Sequence, residues 1–431
     1  MPFRKIPNTD VTYALIAFNA KGKERTDDPD GLMSAEILKR AKAELPTDIF
    51  FFSHGWNGDA PAAVDQYNRW IKAMTDLAAD RARMGPEFKP LWIGLHWPSL
   101  PWGDEELSGD SFDAPAIASS ELIDRYAERL GDEPGVRELL ERIFRENEND
   151  AGATAMPPNV ADAYRDLATT LGRRVEGRAP AGDAAPDAED APFDPEAAFE
   201  AGNEAGDSFA SQGIGGLLGP LRQLSFWTMK NRARSIGQTG MHNLIAALQD
   251  ALPKTKFHLT GHSFGCVVVS SILGGVKDVH PLPRPVDSIA LIQGALGVWA
   301  FADKIPYTGS NGYFNSVIAK KLVRGPIVTT QSRFDKAVGV YYPLAVGVVG
   351  QVDFAEEVGR FGAVGQYGIH GATPTVTAKM LPETDDYNFH PGTIYNLESS
   401  GYIKKMDGAQ GAHSDIAGPQ VAHAIWQAAL V

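Results

Sequence analysis

The 431-residue chain has a single cysteine, Cys266, which excludes an internal disulfide framework and any metal site built from several thiolates. It has no apolar run near the roughly 20 residues that cross a bilayer. The Tyr13–Phe18 run, which follows the basic residues Arg4 and Lys5, is too short for a signal-peptide core, and no small-residue cleavage pattern follows it. A cytoplasmic protein with no stable membrane insertion is the expectation. Basic charge is also scarce: 40 Lys and Arg face 54 Asp and Glu, for a formal net charge of −14. That balance argues against nucleic acid as a partner, because such binding is driven by cations that neutralise phosphates. The shortage is local. Between Arg178 and Arg222 there is no Lys or Arg, yet nine acids stand there, from Asp183 to Asp207. No His–acid cluster has metal-ligand spacing, and neither G-x-x-x-x-G-K nor a helix-opening G-x-G-x-x-G is present. No metal and no cofactor is therefore expected.

What the chain does have is an ordinary globular content, 43% hydrophobic and 22% charged, enough for a sizeable core. Its first part alternates. VTYALIAF (11–18) is rich in strand formers, and a helix that Ser34 can cap runs to about Leu45, where Pro46 ends it. Ile49 to Phe52 reads as a strand buried on both faces. A helical pattern follows over about 61–83, with Val64, Tyr67, Trp70, Ile71, Met74 and Leu77 on one face. LWIGLHW (91–97) is the next strand. This rhythm predicts βαβ units and a mostly parallel, doubly wound α/β sheet. It stops at Pro98 and resumes with a helix at about 240–251.

The sheet core is thus expected in 1–97 and 236–431, with 98–235 as a large, mainly helical insertion. Helices are expected there at about 117–131, 135–147 and 160–175. The tract 177–207 is too poor in apolar residues to order itself and reads as an acidic, flexible loop. The glycine run 213–219 reads as a flexible connector.

The strongest local signal is Gly261-His262-Ser263-Phe264-Gly265, a complete G-x-S-x-G. It follows the strand-like Phe257–Leu259 and leads straight into a helix. A sharp strand-to-helix turn of this kind projects the serine Oγ above the sheet, and the new helix aims its free N–H groups at the reacting oxygen. The bland alternative is a glycine-rich turn with an idle serine.

A serine hydroxyl needs a base to become a nucleophile. Among ten histidines, His413 follows the last plausible strand in a glycine-flanked loop (Gly408, Gly411). His390 is the second choice, but it falls just before a strand. The acid that orients the base is expected after a strand and before the base in sequence. Asp335 fits that place, and it can equally cap a helix from Lys336 onward; Asp303 is the alternative. Oxyanion donors are expected from the N–H of Phe264, next to the nucleophile, and of Trp56 in the early loop HGWNG. His54, Trp97 and His262 are weaker candidates for lining an acyl site. Trp97, with Trp92, Trp102 and His96, either lines such a pocket or packs the core.

With these residues in place, the chain resembles the α/β-hydrolase superfamily over 1–97 and 236–431. The order Ser263, Asp335, His413 is that superfamily's order, and HGWNG resembles the short oxyanion loop of lipases and esterases, although it departs from the HGGG form. The resemblance implies a lipase-like serine esterase with Ser263 as nucleophile, His413 as base and Asp335 as acid. It implies a small-molecule or lipid-like acyl substrate and an insertion that acts as a cap or lid. A thioesterase, amidase or acyltransferase with the same triad is the alternative within that chemistry. A non-catalytic binding module is the alternative outside it. Nothing in the sequence sets an oligomeric state.

Overall fold

The computed structural model describes residues 3–26, 31–56, 60–99, 119–132, 134–149, 155–173, 175, 192–204, 219–274, 281–341 and 361–431. Nine strands form one sheet: β1 (Phe3–Lys5), β2 (Thr12–Ala17), β3 (Asp48–Ser53), β4 (Pro90–His96), β5 (Lys256–His262), β6 (Ser288–Ile292), β7 (Ile327–Gln331), β8 (Thr375–Lys379) and β9 (Ile394–Glu398). Their spatial order is β1-β2-β4-β3-β5-β6-β7-β9-β8. β1 runs antiparallel to β2; the other pairings are parallel. The fold class is therefore α/β with a mostly parallel sheet and flanking helices.

Parallel neighbours require long crossovers; helices supply most of them, while residues 380–393 join β8 to β9 without one. β3 lies between β4 and β5 and is buried at all six positions, which is why DIFFFS shows no polar alternation. Its side chains still alternate between faces. Phe50 and Phe52 join Trp92, Tyr67, Trp70, Met74 and Trp426 in one core cluster. That cluster unites the helices Ala60–Asp76 and Pro419–Ala429 with one face of the sheet. The two buried indoles find partners: Trp70 Nε1 donates to the Ile416 carbonyl and Trp426 Nε1 to that of Met74, each at 2.9 Å. The first strand-connecting helix spans Met33–Glu44, and its N-cap is Leu32, not Ser34. Ser34 lies in the first turn, where its backbone N–H donates to Glu24 Oε1 at 2.8 Å. A carboxylate ten residues upstream thus caps a helix whose own N-cap side chain cannot. The periodic stretch expected as one helix breaks at Leu77 into Ala60–Asp76 and Ala78–Arg83.

By density of contacts the chain divides into two units, Met1–Ser99 with Arg232–Gly339 and Gly362–Val431, and Leu100–Asn231 with Val340–Phe361. The sheet belongs to the first. The second holds the helices Ser119–Leu130, Val136–Asn149, Pro158–Thr170 and Pro195–Glu204, with its own cluster around Tyr126, Leu140, Phe144, Tyr164, Phe193 and Leu224. Of the tract read as a flexible acidic loop, 177–191 and 205–207 lie outside the described residues. The described part, 192–204, is largely helical, which corrects that expectation. Asp194 Oδ1 accepts the N–H groups of Glu196 and Ala197, a cap with proline at the first helical position. Phe193 and Phe199 bury themselves in the cluster, so a tract poor in apolar residues is ordered by two of them. The glycine run 213–218 also lies outside the described residues. Among the described residues, no helix is long and apolar enough to cross a membrane.

Trp426 is fully buried and meets Phe50, Phe88 and Trp92 edge to face. Trp426→Ala is expected to lower the unfolding free energy by about 3–5 kcal/mol. The check is a shift of the denaturant midpoint at unchanged slope; a shift worth under about 1 kcal/mol would mean that the face repacks around the gap.

Candidate active site

In open parallel sheets, ligands bind beyond the carboxyl ends of the strands. The residues singled out by the sequence gather there, after β3, β5, β7 and β9. Ser263 directly follows β5 and precedes the helix Gly265–Gly274. Its φ of 55° places it in the left-handed region, a conformation that costs a non-glycine residue about 1–2 kcal/mol. The turn is held from both sides: the Ser263 N–H donates to the Ile292 carbonyl at 3.1 Å, and its carbonyl accepts from Cys266 at 3.0 Å and Ala295 at 3.2 Å. The flanking glycines are required by space. A Cβ on Gly261 would lie 2.4 Å from the Gly265 carbonyl oxygen, and one on Gly265 would lie 2.3 Å from that of Ser53. The loop after β3 comes equally close, since a Cβ on Gly55 would meet Ser263 Cβ at 2.5 Å.

That loop is fastened by His54. Its backbone N–H donates to Tyr67 Oη at 2.8 Å, and its Nδ1 bonds the Gly55 carbonyl at 2.8 Å. Since Nδ1–H must be the donor to a carbonyl, Nε2 is left as an acceptor, and it takes the Trp97 N–H at 3.3 Å. The Trp97 indole returns a bond to the His54 carbonyl at 3.1 Å, and the two rings stack 5.6 Å apart. His54 and Trp97 are both buried, with their polar atoms committed to each other and to the loop. Burial, with His96 adding to it, lowers the His54 pKa to about 3, so this imidazole stays neutral. Trp56 is half-buried, and its ring packs against that of Phe264 with centroids 5.6 Å apart. The rest of the HGWNG loop, Asn57 and Gly58, lies outside the described residues, as does Trp102.

His413 and Asp335, 78 residues apart, meet directly: His413 Nδ1 lies 2.7 Å from Asp335 Oδ2. Both are buried, at 7% and 1% exposure. The carboxylate can only accept, so Nδ1 is the donor in this bond. The two loops are stitched by the Ala412 N–H to the Phe334 carbonyl at 2.8 Å. Asp335 Oδ1 also accepts the Val338 N–H at 3.1 Å, so the residue caps the turn Ala337–Tyr341 as well. His262 is tied to the same place. Its Nε2 donates to the His413 carbonyl at 3.0 Å, and the two rings lie 4.7 Å apart. Its buried Nδ1 has no hydrogen-bond partner among the described residues. Burial foremost, then His413, pushes its pKa well below the ordinary value.

Ser263 Oγ and the His413 imidazole share no hydrogen bond in this structure. The alternative acid, Asp303, is exposed and accepts from Asn315 at 3.0 Å, and the alternative base, His390, is exposed. Among the described residues, no three His, Cys, Asp or Glu side chains converge as a metal site.

One participant escaped the sequence. Gln293 follows β6 and is also left-handed, with φ of 46°; its Nε2 donates to Asp335 Oδ2 at 2.8 Å. The only signal was a polar residue closing an apolar strand before a glycine.

Comparison with protein-family models, with curated proteins and with solved structures finds no match to this chain.

Two buried neutral histidines make stability depend on pH in a definite direction. In the unfolded chain they bind protons as pH falls below about 6.5, whereas in the fold His54 resists down to about 3. The contribution of His54 is present above pH 6.5 and is lost as pH falls towards 3, at up to about 1.4 kcal/mol per pH unit, and that of His262 is lost in the same direction. His54→Asn keeps a donor near the Nδ1 position and does not titrate. Urea midpoints at pH 7, 6 and 5 are expected to fall less steeply in this variant than in the parent; equal slopes would remove His54 from this role.

Proposed function

We propose that the chain is a serine hydrolase of the α/β-hydrolase fold that cleaves carboxylic esters through an acyl-enzyme on Ser263. The observation that supports this is the buried Asp335–His413 pair, bonded through the His413 carbonyl to His262, whose neighbour Ser263 is held left-handed on a strand-to-helix turn after β5. The left-handed turn agrees with the strained nucleophile elbow of that fold. In the reaction His413 Nε2 takes the Ser263 proton as Oγ attacks the ester carbonyl. The tetrahedral oxyanion is received by the N–H groups of Phe264 and Trp56, each worth roughly 10²–10³ in kcat. The alcohol leaves with the proton from His413, and water repeats the cycle on the acyl-enzyme. Asp335 holds the tautomer that leaves Nε2 basic and stabilises the imidazolium as it forms. By its place in the chain, between β4 and β5, the segment 98–235 is the cap of such an enzyme.

Catalytic hydrogen bonds in free enzymes are often long and tighten only on substrate, which accommodates the open Ser263–His413 contact. The same open contact is the one feature that favours the other reading, a non-catalytic module. Labelling with a fluorophosphonate, which traps an activated serine, separates the two. The expected result is a single adduct mapped to Ser263, absent in Ser263→Ala, with Asp335→Asn lowering kcat on a short p-nitrophenyl ester by about 10⁴. If the folded parent stays unlabelled where a control esterase reacts, the hydrolase assignment fails. Esters, thioesters and amides offered in parallel then define which acyl bond is cut.

A further inference from the structure

The Asp335 carboxylate receives more than the imidazole. Oδ2 accepts both His413 Nδ1–H at 2.7 Å and Gln293 Nε2–H at 2.8 Å, and Oδ1 accepts the Val338 N–H. The Gln293 amide has no freedom to turn over. Its backbone N–H donates to Thr330 Oγ1 at 2.9 Å, so that hydroxyl must send its own proton elsewhere, and Gln293 Oε1 receives it at 2.9 Å. With Oε1 fixed, Nε2 faces two groups that can only accept, Asp335 Oδ2 and the Gly365 carbonyl at 3.1 Å. Gln293 is fully buried and its backbone is left-handed. A strained conformation persists only where its surroundings over-determine it. Here the Thr330 bonds do so, together with the backbone of Gly365, whose missing Cβ would lie 2.9 Å from Gln293 Cα.

We propose that Gln293 is a positioning residue for the Asp335–His413 pair: it fixes the rotation of the carboxylate so that Oδ2 faces His413, and it withdraws part of that oxygen's negative charge. This rests on the hydrolase reading for its catalytic consequence, though not for its effect on His413. Without the amide, Oδ2 attracts the imidazolium alone and more strongly. His413 then keeps its proton to higher pH and is less available as a base near neutrality. Of the titratable and charged groups around the pair, His262 and His54 are held neutral by burial, and Arg69 adds to the lowering of His262. Asp415 is engaged by the N–H groups of Lys404 and Lys405. Arg333 lies over the Phe334 ring, and Lys336 is exposed. None of these competes for Oδ2.

Two variants test this. Gln293→Leu removes the donor at similar volume. Gln293→Glu donates to Oδ2 while protonated and repels Asp335 once ionised. In Gln293→Leu the rate of fluorophosphonate labelling at pH 7 is expected to fall about ten- to hundredfold, the range for a hydrogen bond to a charged group. The midpoint of its acid limb is expected to rise by about one unit. Gln293→Glu is expected to come closest to the parent at the acid end and to fall away from it as pH rises. NMR titration of the His413 imidazole, assigned by its loss in His413→Asn, reads the same shift without any reaction. An unshifted His413 titration in a folded Gln293→Leu or Gln293→Glu protein overturns the role of Gln293. A shifted titration in a protein whose parent is never labelled sustains that role and overturns only the hydrolase reading.

Discussion

How closely the backbone of the β5 elbow can approach the end of β3 decides what the carboxyl edge of this sheet can be. Gly265 sits against the Ser53 carbonyl and Gly55 against Ser263, with no room for a Cβ at either place. Those contacts draw the loop after β3 over the turn that carries Ser263, and they bring Trp56 against Phe264. A side chain at Gly265 would separate the loop from the elbow and undo the left-handed turn. Both candidate oxyanion donors and the candidate nucleophile therefore depend on one close approach, which the buried, two-sided β3 makes possible by leaving no freedom to shift sideways.

A buried His–carboxylate pair is not by itself a sign of catalysis, and this protein shows why. His258 bonds Ser288 Oγ through Nδ1 at 2.8 Å and Asp48 Oδ1 through Nε2 at 3.0 Å, a serine, histidine and aspartate in one hydrogen-bonded chain. All three are buried near the amino ends of β6, β5 and β3, and Ser288 lies in regular strand. His423 is held likewise between Asp80 at 2.6 Å and the Asp385 carbonyl at 3.0 Å. In both clusters each ring nitrogen is occupied, so the imidazole acts as a fastener. His413 differs in what is left over. Nδ1 is engaged and, among the described residues, no hydrogen bond to Nε2 is found, at the end of the sheet where loops converge.

Much of this was legible from local pattern. The two-sided strand β3, the helical face carrying Tyr67, Trp70 and Met74, and the strand–turn–helix around Ser263 each declare themselves within a dozen residues. The chain order of Ser263, Asp335 and His413 could be proposed from loop positions, but that the last two touch is a fact of tertiary structure. Features set by distant partners were illegible. Glu24 caps a helix from outside it, Gln293 earns notice only through Asp335, and β8 is an edge strand of largely exposed residues with no core face to imprint a period. The helix Pro195–Glu204 was hidden for the opposite reason, since average composition concealed two well-placed phenylalanines.

The electrostatics of the edge then follow from what is kept uncharged. His54 and His262 flank the candidate site, and both are neutral because burial penalises their charged forms. Were either a cation, it would repel the imidazolium that the proposed reaction would form on His413. The carboxylate of Asp335 is the charge that faces that imidazolium, and it is held by three N–H donors from three different segments. A group oriented before the reaction does not have to reorganise during it, which is the source of most electrostatic catalysis. Neutral histidines and a fixed carboxylate thus set the charge around the His413 imidazole together, the first by withholding charge and the second by placing it.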